Sequence, residues 1–114
     1  MIRNICKISF RSLSNSEMNF TEINISHSEN KFEITEEDPD PGKLYIYKLS
    51  AKLKQKAFYR YDGLQFDVVF SDGTHIFVGN NDFPSFLNTK EDLDFAEITV
   101  DWKDIYPPNF LPVS

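Results

Sequence analysis

One cysteine, two histidines and four glycines are all that this chain of 114 residues holds of three residue types on which much protein chemistry depends. Cys6 alone excludes an internal disulfide, and with only His27 and His75 beside it leaves too few soft ligands for a structural zinc site. Four scattered glycines cannot form a phosphate-cradling loop or a dinucleotide fingerprint, and the G-x-S-x-G and H-E-x-x-H frames are absent. No apolar run reaches the roughly eighteen residues of a membrane-spanning helix. The N-terminal MIRNICKISF has neither the charged-then-apolar order nor the cleavage pattern of a secretory signal. These absences favour a cytoplasmic, reducing setting with no membrane, metal or cofactor, and they lower the case for an enzyme.

Aromatic residues are plentiful, with eleven phenylalanines inside a 40% hydrophobic composition, enough apolar surface for one core. Their dominant period is two. Ile2, Cys6, Ile8 and Phe10 alternate with Arg3, Lys7, Ser9 and Arg11, with Ile5 out of step, so Cys6 is expected in the core. Residues 20–27 and 32–35 read as strands joined by a polar stretch of hairpin length. Between Phe66-Asp67-Val68-Val69-Phe70 and Thr74-His75-Ile76-Phe77, Asp72-Gly73 predicts a two-residue hairpin turn. That register opposes Phe70 to His75 and Val68 to Phe77, placing Phe66, Val68, Phe70 and Phe77 in the core and His75 at its rim. Phe83, Phe86 and Leu87 are expected to pin the following loop by burial, with a helical turn available at residues 90–93. Residues 95–102 return to period two.

The expected fold is all-β and mostly antiparallel: a β-sandwich or small β-barrel of about seven short strands, with a short helix within 50–59 as the alternative to strand there. Residues 1–114 read as a single domain, of which 103–114 form an irregular proline-rich C-terminal tail. Ile105, Tyr106, Phe110 and Leu111 are apolar residues within that tail.

Charge is segregated. Residues 43–60, KLYIYKLSAKLKQKAFYR, hold six basic residues and no acid, whereas the other 96 residues hold six basic and eighteen acidic ones, a balance of -12. Within the ribbon Tyr45, Tyr47, Leu49, Ala51 and Leu53 point one way, and Lys48, Ser50, Lys52 and Lys54 the other.

Three uses of that ribbon compete. Lysines on the wet face of a sheet discourage edge-to-edge aggregation. A nucleic acid or other polyanion would meet Lys48, Lys52, Lys54, Lys56 and Arg60 along its phosphates. The tyrosines, however, face away from those lysines, and the surrounding acid repels a polyanion. A protein partner, or a second copy of the chain, would dock through complementary charge, with Phe110 and Leu111 adding apolar contact. This last reading, a non-enzymatic protein-binding or assembly module working through Lys48, Lys52, Lys54, Lys56, Arg60, Phe110 and Leu111, is the preferred expectation. Small all-β structural proteins of prophages and contractile particles are similar in general look, with no motif here to carry the resemblance.

Two groupings stand for other chemistry. Ser71, Asp72 and His75 surround the hairpin turn and suggest a small hydrolase centred on His75, but the expected register places Ser71 and His75 on opposite faces. Glu36, Glu37, Asp38 and Asp40 crowd the loop 36–42; oxygen-rich loops suit calcium, yet the spacing is not that of an EF-hand and the prolines stiffen the backbone.

Overall fold

The structure is a computed structural model that describes residues 2–14, 18–26, 30–38, 42–54 and 56–113, with the backbone alone at residues 2 and 3. Among these residues it holds nine strands and no helix: β1 Ile2–Ser12, β2 Thr21–Ile23, β3 Lys31–Glu37, β4 Leu44–Leu53, β5 Leu64–Phe70, β6 Thr74–Val78, β7 Asn88–Glu91, β8 Ala96–Asp104 and β9 Leu111–Pro112. All neighbours pair antiparallel, in the order β7-β8-β4-β3-β1-β5-β6-β9, with β2 also on β1. The sheet does not close, which removes the barrel alternative.

β1 joins two halves of this sheet. Its first residues, 2–4, pair with β3, and its later ones pair with β5 and β2. A register shift between Ile5 and Lys7 marks the corner, a β-bulge that adds one unpaired residue and bends the strand. The bulge corrects the expectation for Cys6. It resets the alternation so that Ile5 and Ile8 both face inward, and the extra residue, Cys6, is exposed.

The inner faces of both halves meet in one core. Phe66, Val68, Leu64 and Ile8 come from one side and Ile98, Val100, Leu49 and Ala51 from the other, all fully or nearly fully buried. Phe32 of β3 and Phe70 of β5 meet edge to face at 5.1 Å. Each such buried large side chain contributes about 1.5–3 kcal/mol by leaving water.

Residues 50–59 contain no described helix. Residues 50–53 end β4, which is hydrogen-bonded along both edges, to β3 and to β8; that double ladder overrides the i, i+4 spacing of Leu49, Leu53 and Ala57. Residues 90–93 likewise form no helical turn, because 88–91 are the edge strand β7.

The 20–35 region is no hairpin either. β2 and β3 both lie along one edge of β1, at residues 8–10 and 2–4, like two pieces of a broken strand. Ile25 bridges to Leu53 and Lys31 pairs with Ser50, so β4 flanks both pieces.

The β5–β6 connection is a hairpin with a different register. Val69 opposes His75, Val68 opposes Ile76 and Phe66 opposes Val78. Three residues form the loop: Gly73 N–H donates to the Phe70 carbonyl at 3.2 Å, and Gly73 adopts φ +87°. A three-residue loop ending in a left-handed glycine competes with the two-residue turn for the same Asp-Gly pair, and one residue of slip turns every later side chain over. Ile76 and Val78 are therefore buried, whereas Phe77 and His75 share the outer face.

Candidate functional site

The ribbon of residues 43–60 divides as its alternation dictates. Tyr47, Leu49, Ala51 and Leu53 are buried, and Lys48 and Lys54 are exposed. The neighbouring strands decide how much positive charge this face offers. Lys48 stands directly opposite Glu33 on β3 and Asp101 on β8, and Lys52 stands opposite Glu97 with its ammonium 4.5 Å from the centre of the Phe95 ring. Opposite charges across a ladder attract, so this outer face is a mixed array rather than a uniform cation.

Arg60 forks onto Asp62 at 3.0 and 2.9 Å and lies 5.2 Å from the centre of the Phe10 ring. Lys43 reaches Glu36 at 2.9 Å. Lys54 and Lys56 remain on the exposed segment that follows β4. The two tail residues also separate. Phe110 is half-buried against Phe70, with ring centres 5.7 Å apart, while Leu111 is exposed in β9 opposite His75.

His75 is held by Asp67, Nδ1 to Oδ1 at 2.9 Å, and by an edge-on contact with Phe77 at 5.2 Å. Its place is the outer face rather than the core rim, a consequence of the register change. Ser71 is exposed in the turn, and Asp72 accepts from both the backbone N–H and the hydroxyl of Thr74, an Asx turn. Glu36, Glu37 and Asp38 are exposed, and no grouping of three or more metal-ligating side chains occurs among the described residues. His27, Asp40 and both loop prolines lie outside the described residues.

A different place brings functional side chains together: the end of the molecule where β8 finishes. Tyr45 opposes Asp104 there. Beyond it, the backbone N–H groups of Ile105 and Tyr106 both donate to Asp104 Oδ1, at 2.8 and 3.3 Å, so one carboxylate oxygen shapes the turn into the tail.

Two clefts meet at Asp104. On one side Leu44, Phe83 and Ile105, together with Lys103 and Asp104, line a mainly apolar groove of about 260 Å³. On the other, a cleft of about 270 Å³ lies beneath residues 106–111, lined by Tyr47, Phe77, Tyr106, Asn80 and Asn109 among others. A third depression, lined by Ile34, Glu36, Tyr45 and Pro108, borders the same tail.

Phe83 is 58% exposed and Ile105 is 61% exposed, yet neither hangs on a loose loop. Asn80 Oδ1 accepts from the backbone N–H of Asp82 and of Phe83, at 3.0 and 2.8 Å, and Asn80 N–H donates to the Phe83 carbonyl. The buried Trp102 donates its indole N–H to that same carbonyl at 2.9 Å. Ser85 anchors the loop's far side by donating its hydroxyl to the Leu64 carbonyl at 2.7 Å. Burial of Phe83 and Phe86 does not pin this loop: both rings are exposed, and Leu87 is the member of the expected trio that is buried.

Tyr47 sits at the base of the second cleft. Burial first, and the nearby Asp104 and Tyr45 next, push its phenol up to about 12. Among the described residues nothing hydrogen-bonds its hydroxyl, and no buried side-chain polar atom there lacks a partner, so that hydroxyl opens onto the cleft.

The sequence pointed to Ile105 and Tyr106 as apolar tail residues and to Phe83 as a buried loop anchor rather than an exposed one, and it gave no sign of Leu44 or Asp104. The available signal was Asn80-Asn81-Asp82-Phe83, where an Asx turn immediately precedes an aromatic residue. No protein-family model, curated protein or solved structure gives a significant match to this chain.

Proposed function

We propose that the chain is a non-enzymatic protein-binding module that docks its partner at the Asp104 end, through the groove lined by Leu44, Phe83 and Ile105. The observation that carries this reading is the rigid presentation of Phe83. Eight hydrogen bonds among the described residues hold residues 80–85, and the Phe83 ring carried on that backbone is exposed. An aromatic anchor already ordered before contact loses little conformational freedom on binding, which is how a few side chains come to dominate an interface.

The occupant is a large apolar side chain on a partner that also carries positive charge. The chain has a formal charge of -6; within residues 43–60 Lys48 and Lys52 stand opposite acids of their own sheet and Lys43 and Arg60 pair with Glu36 and Asp62, so long-range attraction favours a basic partner. A second copy is the poorer occupant, since it brings the same excess of acid. A cytoplasmic setting suits this reading, because the lone thiol of Cys6 is exposed and stays reduced there.

Selection of random display peptides on the wild-type protein and on Phe83→Ala tests the proposal. Enriched peptides should pair an aromatic or large aliphatic residue with Arg or Lys, and should bind Phe83→Ala about tenfold or more weakly. Peptides that bind both proteins equally would remove the groove from consideration.

A further inference from the structure

We infer that the cleft on the Tyr106 side of Asp104 receives a guanidinium group, the arginine side chain of the partner whose apolar residue fills the adjoining groove. This rests on the docking reading above and adds what the second contact must be. The cleft's lining contains one formally charged side chain, Asp104, and no Lys, Arg or His. That charge favours a cation over an anion.

Asp104 uses Oδ1 for the two backbone amides of the turn, and its other oxygen makes no hydrogen bond to a described residue. The same cleft is lined by Phe77 and Tyr106, both exposed, by Asn109 and by Tyr47. Gln65 is already committed, to Arg11 and to the Gly79 carbonyl, and Asn80 Oδ1 to its own turn.

A planar cation with several donors fits this set better than a compact ammonium. It can lie against an aromatic face while donating sideways to a carboxylate oxygen and an amide oxygen. The Tyr47 phenol, held neutral by burial and by the nearby Asp104, adds no charge of its own, so the cleft's charge is that of Asp104. Because Asp104 borders both clefts, an arginine next to an apolar residue in one partner segment can occupy the two at once.

The probe is arginine blocked at both ends, N-acetyl-arginine methylamide, against its uncharged citrulline counterpart, followed by two-dimensional NMR on the full chain. Saturable shifts at the amides of Asn80, Tyr106 and Asn109 are expected with arginine, and at least about tenfold weaker ones with citrulline. Asp104→Asn keeps an oxygen for the Ile105 and Tyr106 amides, so it should preserve the spectrum elsewhere while weakening the arginine response about tenfold. Tyr106→Ala, at an exposed position, should weaken it as well.

Equal responses to arginine and citrulline, or an undiminished response in Asp104→Asn, would overturn the inference. Free arginine binding more than about tenfold tighter than the blocked form would replace the protein side chain by a small metabolite. If blocked arginine shifts nothing while selected peptides still discriminate Phe83→Ala, this inference falls and the docking reading stands; the reverse pattern removes the docking reading, and with it the assignment of the guanidinium to a groove-bound partner.

Discussion

Asp62 receives the Arg60 fork at 3.0 and 2.9 Å and the Ser12 hydroxyl at 2.6 Å, tying the segment before β5 to the end of β1. Those bonds, Arg60's first and Ser12's second, hold its carboxyl well below the usual carboxylate range. A depressed value in the folded state means the stabilisation is complete above the unfolded value of about 3.9 and is lost as pH falls from there through the folded value. Asp62→Asn should cost about 1–3 kcal/mol at pH 7 by urea unfolding, and should flatten the fall in stability between pH 4 and the acid limit at about pH 2. A variant as stable as wild type at pH 7 would show the cluster to be ornamental. Gly79 is equally constrained: its φ is +95°, and an added Cβ would lie 2.5 Å from the Leu64 carbonyl oxygen and 2.6 Å from Ser85 Oγ. Gly79→Ala should lose more than about 1 kcal/mol in the same measurement. Neither constraint was legible beforehand, because Ser12, Asp62, Leu64 and Ser85 are brought together only by pairings across the sheet.

The hairpin of β5 and β6 shows where reading by period succeeds and where it fails. Both strands stand where alternation placed them, but the number of loop residues fixes register, and Asp-Gly is compatible with two loop lengths. Core truncation checks the observed register directly. Ile76→Ala should cost about 2–4 kcal/mol. Phe77→Ala should cost no more than about 1 kcal/mol, reflecting contacts with Phe20 and His75 on the outer face. The reverse order of costs would restore the two-residue turn. In β4 the alternation of tyrosine and lysine was legible in full, since it needs only the strand's own residues. That Lys48 faces Glu33 and Asp101 was not, since partners 15 and 53 residues away are a property of topology. Lys48→Glu would line up three acids across β3, β4 and β8 and should lower the melting temperature by about 2–4 °C, less in high salt.

Taken whole, the chain's all-β antiparallel nature followed from its periodicity and from the scarcity of helical blocks. Its path did not, because β1 changes partners at one bulged residue and β2 and β3 share an edge. Pairings such as Ser12 with Leu64 and Tyr45 with Asp104 close long stretches of chain before any contact rewards them. Refolding should accordingly take milliseconds to seconds when followed by far-ultraviolet circular dichroism; microsecond folding would contradict the topology. The candidate site was hidden for the same reason: Leu44, Phe83, Ile105 and Asp104 become neighbours only when β4 and β8 align and the 80–85 loop is fastened to Trp102. That fastening has a practical corollary. Trp102 is the chain's single tryptophan, and its indole N–H is bonded to the carbonyl of the residue whose ring forms the groove wall. Occupancy of the groove therefore perturbs the one native indole fluorophore, and its emission wavelength gives a label-free reporter of whatever settles there.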